Sequence, residues 1–446
     1  MVALAKLTIR NRLSVVIRKT LEVVTRSMEI VSTQGFGSFL RQVKQKTEKR
    51  EFRLLEPGTG ISCSVPAMAS SHVISTSKFG VNFAGFFTGQ FGLGASARAI
   101  ASALNQANVP IILNKMIDAD QAERQTFAFD SFSDRNPYRI NIIHLNADQS
   151  KAFFTRVCPN YSNEKYNIGI WYWELPDFPK RWQDAFQFYD ELWVSSSFIA
   201  KTLLKSSNVP VIKIRYPLSV PKNIERQPAR NKHSFKDQFV FLFVFDFYSI
   251  LERKNPLGLL RAFQQAFNRN ENALLVLNAI NGSSHPNDLH ILRKMSEDLN
   301  VLLIEDRLTR VDYYSLFSAA DCYVSLHRAE GLGLPMAEAM SLGKPVIATG
   351  YSGNTDFMNH NNSLLVKFDL VRLEKTFGNY DKGNFWANPD VDHAAQLMRW
   401  VYEHRDEAED IGRRARIEIS QILNPELAGR EMKERLHSIF SKMIKS

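Results

Sequence analysis

Two glutamates, Glu330 and Glu338, flank the glycine turn of HRAEGLGLPMAEAM, His327 to Met340. Gly331, Leu332, Gly333, Leu334 and Pro335 follow directly on the first of them. A carboxylate accepts hydrogen bonds from sugar hydroxyls but repels phosphate. The residues between do the reverse. Glycine lets backbone approach a ligand without an intervening side chain, and a helix start offers unpaired amides and a partial positive charge to an anion. Phosphate at the amides of Gly331 to Leu334, with hydroxyls at both flanks, describes a nucleotide diphosphate sugar. The competing reading is a plain strand-to-helix turn carrying two surface glutamates.

Other residues supply complementary chemistry. After a strand ending at Phe245 come Arg253 and Lys254, in RKNP. Adjacent cations in a strand-to-helix loop suit a diphosphate leaving group, although such a pair is also common on solvated surfaces. FFTGQFGLGASAR, Phe86 to Arg98, carries Gly89, Gly92 and Gly94. Its spacing is G-x-x-G-x-G rather than the dinucleotide fingerprint G-x-G-x-x-G. The next apolar run, Ile111 to Leu113, ends in Asn114 and Lys115 where a dinucleotide site wants an acid, so this turn is expected to bring backbone to a ligand across a cleft. His144 sits at a strand end, in NIIHLNAD. GIWYWELPDFP sets Trp171, Trp173 and Glu174 together, the pattern of rings that stack on sugars beside a carboxylate that binds hydroxyls, or of aromatic core.

These groups need elements to hold them. AADCYVSLH, Ala319 to His327, is a strand-like apolar run, and PMAEAMSLG reads as a helix with Pro335 in its first turn and Gly343 at its end. The same alternation recurs along the chain. Apolar runs at Val81–Phe87, Ile111–Leu113, Ile140–Leu145, Ile168–Trp173 and Leu192–Val194 form one series. Phe239–Phe245, Ala273–Asn278, Val301–Glu305, Cys322–His327 and Pro345–Thr349 form another, and the polar stretch Gln227–Gln238 separates the two. Fully apolar strands between helical segments such as Asn255–Phe267 imply parallel sheets covered on both faces, here twice. Two doubly wound domains then face each other, with the carboxyl ends of both sheets on one cleft. The expected division is a basic helical extension over 1–60, a linker over 61–78, a first domain over 79–232, a second over 233–425 and a terminal helix over 426–446.

At 446 residues, 44% hydrophobic and 23% charged, the chain has ordinary globular composition and room for two domains. Cys63, Cys158 and Cys322 show no paired spacing, which fits a reducing compartment and argues against zinc or a disulfide framework. No apolar run reaches the length of a membrane-spanning helix. The net charge is +10. Residues 1–53 hold twelve Lys/Arg against four acids, so most of the excess lies there. The rest lacks the basic and aromatic clusters of a nucleic-acid groove. The basic segment is expected either to meet anionic lipid at the cytoplasmic face of a membrane or to pack as a solvated helix on the body.

EGLGLPMAEAM, the following GKPVIAT, RKNP, YDELWVSSSFIAKTL (Tyr189 to Leu203) and the early glycine loop together resemble the large retaining group of GT-B glycosyltransferases usually numbered family 4. The resemblance covers about residues 79–425. It implies an α/β GT-B architecture of two facing Rossmann-like domains. It also implies that Lys254 and Arg253 hold a donor diphosphate, that Glu330 touches the transferred sugar and Glu338 the ribose, that the amides of Gly331, Leu332, Gly333 and Leu334 cap phosphate, and that His144 lies at the reacting face. Gly92 is expected beside the donor, and Trp171, Trp173 and Glu174 beside the acceptor. Many relatives carry Gly-Arg where this chain has Phe245-Asp246, so one phosphate cation is missing and Arg253 is expected to replace it. The implied reaction moves a sugar to a glycan or lipid-linked glycan hydroxyl with retention, in surface-polysaccharide assembly in the cytoplasm, with no cofactor and no metal. An epimerase of the same fold and an inactive assembly scaffold are the alternatives.

Overall fold

Runs such as FVFLFVF leave no polar side chain for solvent, so they fold only where both faces are covered. The computed structural model describes residues 61–63, 78–89, 91–118, 131–158, 160–221, 224–235 and 237–445. The expected basic helical extension lies outside them. Two sheets carry the fold. The first consists of β1 (Ile61–Cys63), β2 (Val81–Gly85), β3 (Ile111–Asp118), β4 (Ile140–Ile143), β5 (Tyr166–Ile170), β6 (Glu191–Val194) and β7 (Val211–Lys213), in the spatial order β1-β3-β2-β4-β5-β6-β7. All its pairings are parallel except β1 with β3. Residues 61–63, expected within a linker, thus extend the edge of this sheet.

The second sheet holds β8 (Phe239–Asp246), β9 (Ala273–Ile280), β10 (Val301–Ile304), β11 (Cys322–Ser325), β12 (Val346–Thr349) and β13 (Leu364–Val366), ordered β10-β9-β8-β11-β12-β13 and wholly parallel. Each sheet reverses its winding once, between β2 and β4 in the first and between β8 and β11 in the second. Ligands bind beyond the strand ends at such switch points. His144 follows β4, Arg253 and Lys254 follow β8, and Glu330 follows β11. The expected doubly wound pair is the fold observed.

Three features went unread in the sequence. The polar stretch after β7 contains a helix, Arg226–His233, whose Arg230 is buried and donates to the Ala319 carbonyl and to Asp321. An antiparallel hairpin of β14 (Phe368–Arg372) and β15 (Phe385–Pro389) leaves the second sheet. In the first sheet a line of buried amides crosses three strands. Asn82 donates to Asn141 at 2.9 Å, and Asn141 donates to Asn167 at 2.8 Å. These residues are register partners on β2, β4 and β5.

The last helix returns to the first sheet. Pro425–Met443 lays Ala428, Met432, Leu436, Ile439 and Phe440 onto the core around Val81, Ile100 and Leu104. The contact with α1 (Gly92–Gln106) is close at Gly429, where a Cβ would collide with the Ala103 carbonyl. Lys433 donates to the Ala107 carbonyl at 2.9 Å, and Arg435 pairs with buried Glu191. Among the described residues no helix is long and apolar enough to cross a membrane.

Candidate active site

The cation loop follows from its own residues. Asp246 caps the turn after β8, accepting from the Tyr248 amide at 3.0 Å and from Asn281 at 2.8 Å. Asp246, at the position where the family resemblance leads one to expect an arginine, is therefore a structural cap here. Ile250 takes φ +67°, a conformation that costs a β-branched residue dearly. The chain then makes one helical turn, Leu251–Lys254, and reverses at Asn255 with φ +55°. Asn255 accepts from the Gly258 amide and donates to the Leu326 carbonyl at 2.8 Å, while Pro256 opens the next helix. RKNP thus puts two cations on a turn pinned to the end of β11.

The glutamate turn meets them there. Lys254 Nζ and Arg253 Nη1 both address Glu330 Oε1, the arginine at 3.4 Å. Arg253 also donates to the Ala329 carbonyl at 3.0 Å and is buried. Burial works to raise the Glu330 carboxyl, but Lys254 and then Arg253 outweigh it and hold it at about 2. Burial lowers the Lys254 ammonium from its ordinary value, with Glu330 opposing. The backbone of the turn is clamped as well. The Glu330 amide donates to Ser352 Oγ at 2.8 Å, and the Gly353 amide donates to the Glu330 carbonyl at 2.9 Å. Only glycine fits at 353, because a Cβ would collide with the Gly331 carbonyl. Gly333, at φ +91°, then leads into the helix Leu334–Ser341, which ends before Gly343 at φ +72°. Within its first turn Pro335 has no N–H, and the Met336 and Ala337 amides both donate to the Gly333 carbonyl, at 3.1 and 3.2 Å, so the amides left for an anion are those that precede Pro335.

Glu338 points elsewhere. Both its oxygens accept from tyrosines, Tyr314 and Tyr313, each at 2.8 Å. Burial pushes it up to about 7 against the downward pull of those hydroxyls. Near neutral pH this carboxyl is therefore poised between its charged and neutral forms.

The first domain closes the other side. Its Ser196 donates to the Gly331 carbonyl at 2.6 Å, and the Ser197 amide donates to Asp356 at 2.8 Å. His144 is buried; its Nε2 lies 2.9 Å from Ser96 Oγ, which lies 2.6 Å from the Tyr172 hydroxyl. Burial lowers His144 to about 4, so the ring is neutral at physiological pH. Its Nδ1 is buried with no hydrogen-bond partner among the described residues. Tyr172 links it to the turn: the ring centroids of His144 and Tyr172 are 5.8 Å apart, and Tyr172 flanks Gly331. Gly92 opens α1 with open space where a side chain would go, whereas Gly94 packs against the Gly89 carbonyl. Arg98 fastens this loop by donating to the carbonyls of Phe87 and Gly89.

One expectation is corrected. Trp171 and Trp173 are only 1% and 4% exposed. Trp171 packs against Phe178, Phe186 and Tyr189, and Trp173 against Phe178, Trp182 and Tyr380. They are core, and neither offers a face to a sugar. Glu174 is not core; one of its oxygens accepts from the Tyr380 hydroxyl at 3.0 Å. Tyr313, Tyr314, Ser352, Gly353 and Tyr380 were not singled out in the sequence. Only the small, turn-forming YSGNTD around Gly353 carried a local signal.

Residues 225–418 match the family described as Glycosyl transferases group 1. The chain matches no curated protein in sequence. In fold it is similar to sucrose-phosphate synthase from Thermosynechococcus elongatus, with TM-score 0.60 and 14% identity over 82% of this chain and 100% of that one. A glycosyltransferase from Rickettsia africae gives TM-score 0.58 and 13% identity over 83% and 100%. HepE from Anabaena, solved with UDP and glucose, gives 0.56 and 15% over 81% and 100%.

Proposed function

We propose that this chain, a glycosyltransferase of GT-B fold, moves a sugar from a nucleotide diphosphate sugar to an acceptor hydroxyl with retention of anomeric configuration. The observation that carries the reading is the convergence of Lys254 and Arg253 on Glu330 at the turn leading into Leu334–Ser341. A diphosphate docks at that turn's amides with Lys254 as its charged ligand. Arg253, buried behind, supplies fixed positive charge in place of the missing arginine at Asp246. Glu330 turns a carboxylate oxygen to the sugar, and Glu338 takes the ribose hydroxyls. His144 contributes a neutral imidazole nitrogen, suited to hydrogen-bonding a sugar hydroxyl but not to donating a proton from a cation.

In the transfer, the bond from the anomeric carbon to the diphosphate oxygen breaks and a bond to the acceptor oxygen forms on the same face. The departing phosphate oxygen takes the acceptor proton. Charge builds on the diphosphate, and preorganised cations and amides stabilise it without a metal. The acceptor is a glycan or a lipid-linked glycan, and residues 1–53 dock on anionic membrane at its cytoplasmic face.

The direct test incubates the protein with UDP-, GDP- and ADP-sugars and follows thermal stabilisation, slow hydrolysis and the configuration of the released sugar. Stabilisation by one nucleotide series with release of the retained anomer is expected. Release of the inverted anomer would remove retention, and indifference to all three series would remove the donor assignment.

A further inference from the structure

The hairpin β14–β15 reaches the candidate site from a direction that the paired-glutamate turn does not explain. Its connecting loop lies against the first domain's segment 173–182. Arg181 pairs with Asp381 and donates to the Asn379 carbonyl at 2.9 Å, and Asn384 donates to the Asp177 carbonyl at 2.8 Å. The same loop touches the cation turn, since Gly378 abuts the Ile250 side chain. Tyr380 stands between these contacts. It is buried, its ring lies 5.4 Å from that of Trp173, and its hydroxyl donates to Glu174. The Arg253 guanidinium sits 6.0 Å from the centre of its ring. One side chain therefore touches a carboxylate of the first domain and a phosphate-side cation of the second.

Such a bridge has a chemical consequence. Glu174 lies within electrostatic reach of Arg253 and Lys254. Released from the phenol, it is drawn toward the charges that a diphosphate must use. Held by Tyr380, it keeps its other oxygen for a hydroxyl arriving from the first domain.

We propose that Tyr380 is a positioning residue for glycosyl transfer: its hydroxyl fixes Glu174 for the incoming hydroxyl while its ring fixes Arg253 for the departing diphosphate. This rests on the transfer reading above. The two halves of the phenol separate by substitution. Tyr380→Phe keeps the ring and loses the hydroxyl, whereas Tyr380→Leu loses both.

The test measures calorimetric affinity for UDP, GDP and ADP, together with kcat and KM for hydrolysis of the matching nucleotide sugar, water standing in as the incoming hydroxyl. Tyr380→Phe is expected to bind the nucleoside diphosphate within about twofold of wild type while its kcat falls about tenfold, the scale of one hydrogen bond to a charged group. Tyr380→Leu is expected to lose about tenfold in nucleoside diphosphate affinity as well, on the scale of a desolvated cation–ring contact. Adding Glu174→Gln to Tyr380→Phe should lower kcat no further than either change alone. Wild-type kcat in Tyr380→Phe overturns the proposal. So does equal loss of diphosphate affinity in the Phe and Leu variants, or full additivity with Glu174→Gln. Wild-type protein that binds none of the three diphosphates removes the transfer reading itself, and the proposal with it.

Discussion

Lys254, Arg253 and Glu330 make a small buried ion cluster with one positive charge in excess. Lys254→Ala leaves Arg253 facing Glu330 at 3.4 Å, so the buried charges still balance and the variant is expected to fail in binding before it fails in folding. A loss of about a hundredfold or more in turnover is anticipated, the scale of removing a preorganised transition-state charge, with weakened nucleoside diphosphate affinity by calorimetry. Glu338 titrates in the opposite sense to Glu330. Its folded value, raised to about 7, means that the fold favours the neutral acid; that stability is complete below about 4.5, the value of a free glutamate, and lost as pH rises through 7. Glu338→Gln is therefore expected to gain about 1–3 kcal/mol of stability over wild type at pH 8 and little at pH 4.5. It should also raise the donor KM more than it lowers kcat. Urea titrations at the two pH values and a kinetic comparison check both halves, and an equal gain at both pH values would contradict the burial argument. At this scale the sequence revealed residues adjacent in the chain. Arg253 and Lys254 lie in RKNP, and Glu330 opens its own turn. It concealed partners that arrive from far away, such as Glu174 and Tyr380, which are 206 positions apart. It also left the two tryptophans ambiguous, because an aromatic run reads alike whether its rings face solvent or one another.

The elements show why the turn holds its shape. Gly353 is the point where the loop after β12 presses on the glutamate turn, and Gly353→Ala forces the Gly331 carbonyl aside. Activity should fall at least about tenfold, since small misplacements of a preorganised site are costly. Circular dichroism should remain that of the folded protein, because the collision is local. In the first sheet, Asn141→Ala removes the middle of the amide line. It leaves Asn82 and Asn167 short of partners in a buried setting, at a cost of about 2–4 kcal/mol, to be read from urea denaturation. The strands themselves were legible, because seven-residue apolar runs such as Phe239–Phe245 admit few alternatives. The hairpin β14–β15 was not, since FDLVR and FWANP alternate only briefly and flank a charged, glycine-containing loop. The edge strand β1 was hidden for a related reason: three residues inside a Gly, Pro and Ser-rich stretch carry no period.

At the scale of the molecule, contacts between the two domains lie on the candidate site itself, among them Ser196 on the Gly331 carbonyl and Asp356 on the Ser197 amide and Lys213. The facing arrangement was readable from two series of strands, but no periodicity announces which loops touch. The closing helix Pro425–Met443 matters differently, because it is made after everything it covers. While the polypeptide emerges from a ribosome, β2 to β7 are complete once Lys213 is out, yet their outer apolar layer waits for Pro425. At roughly 5–20 residues per second that interval is on the order of 10–40 s. Throughout it, Phe79, which His437 and Phe440 later cover, and the Ala103–Ala107 stretch that receives Gly429 face water, or whatever holdase attends the nascent chain, and the second sheet is synthesised before the first is sealed.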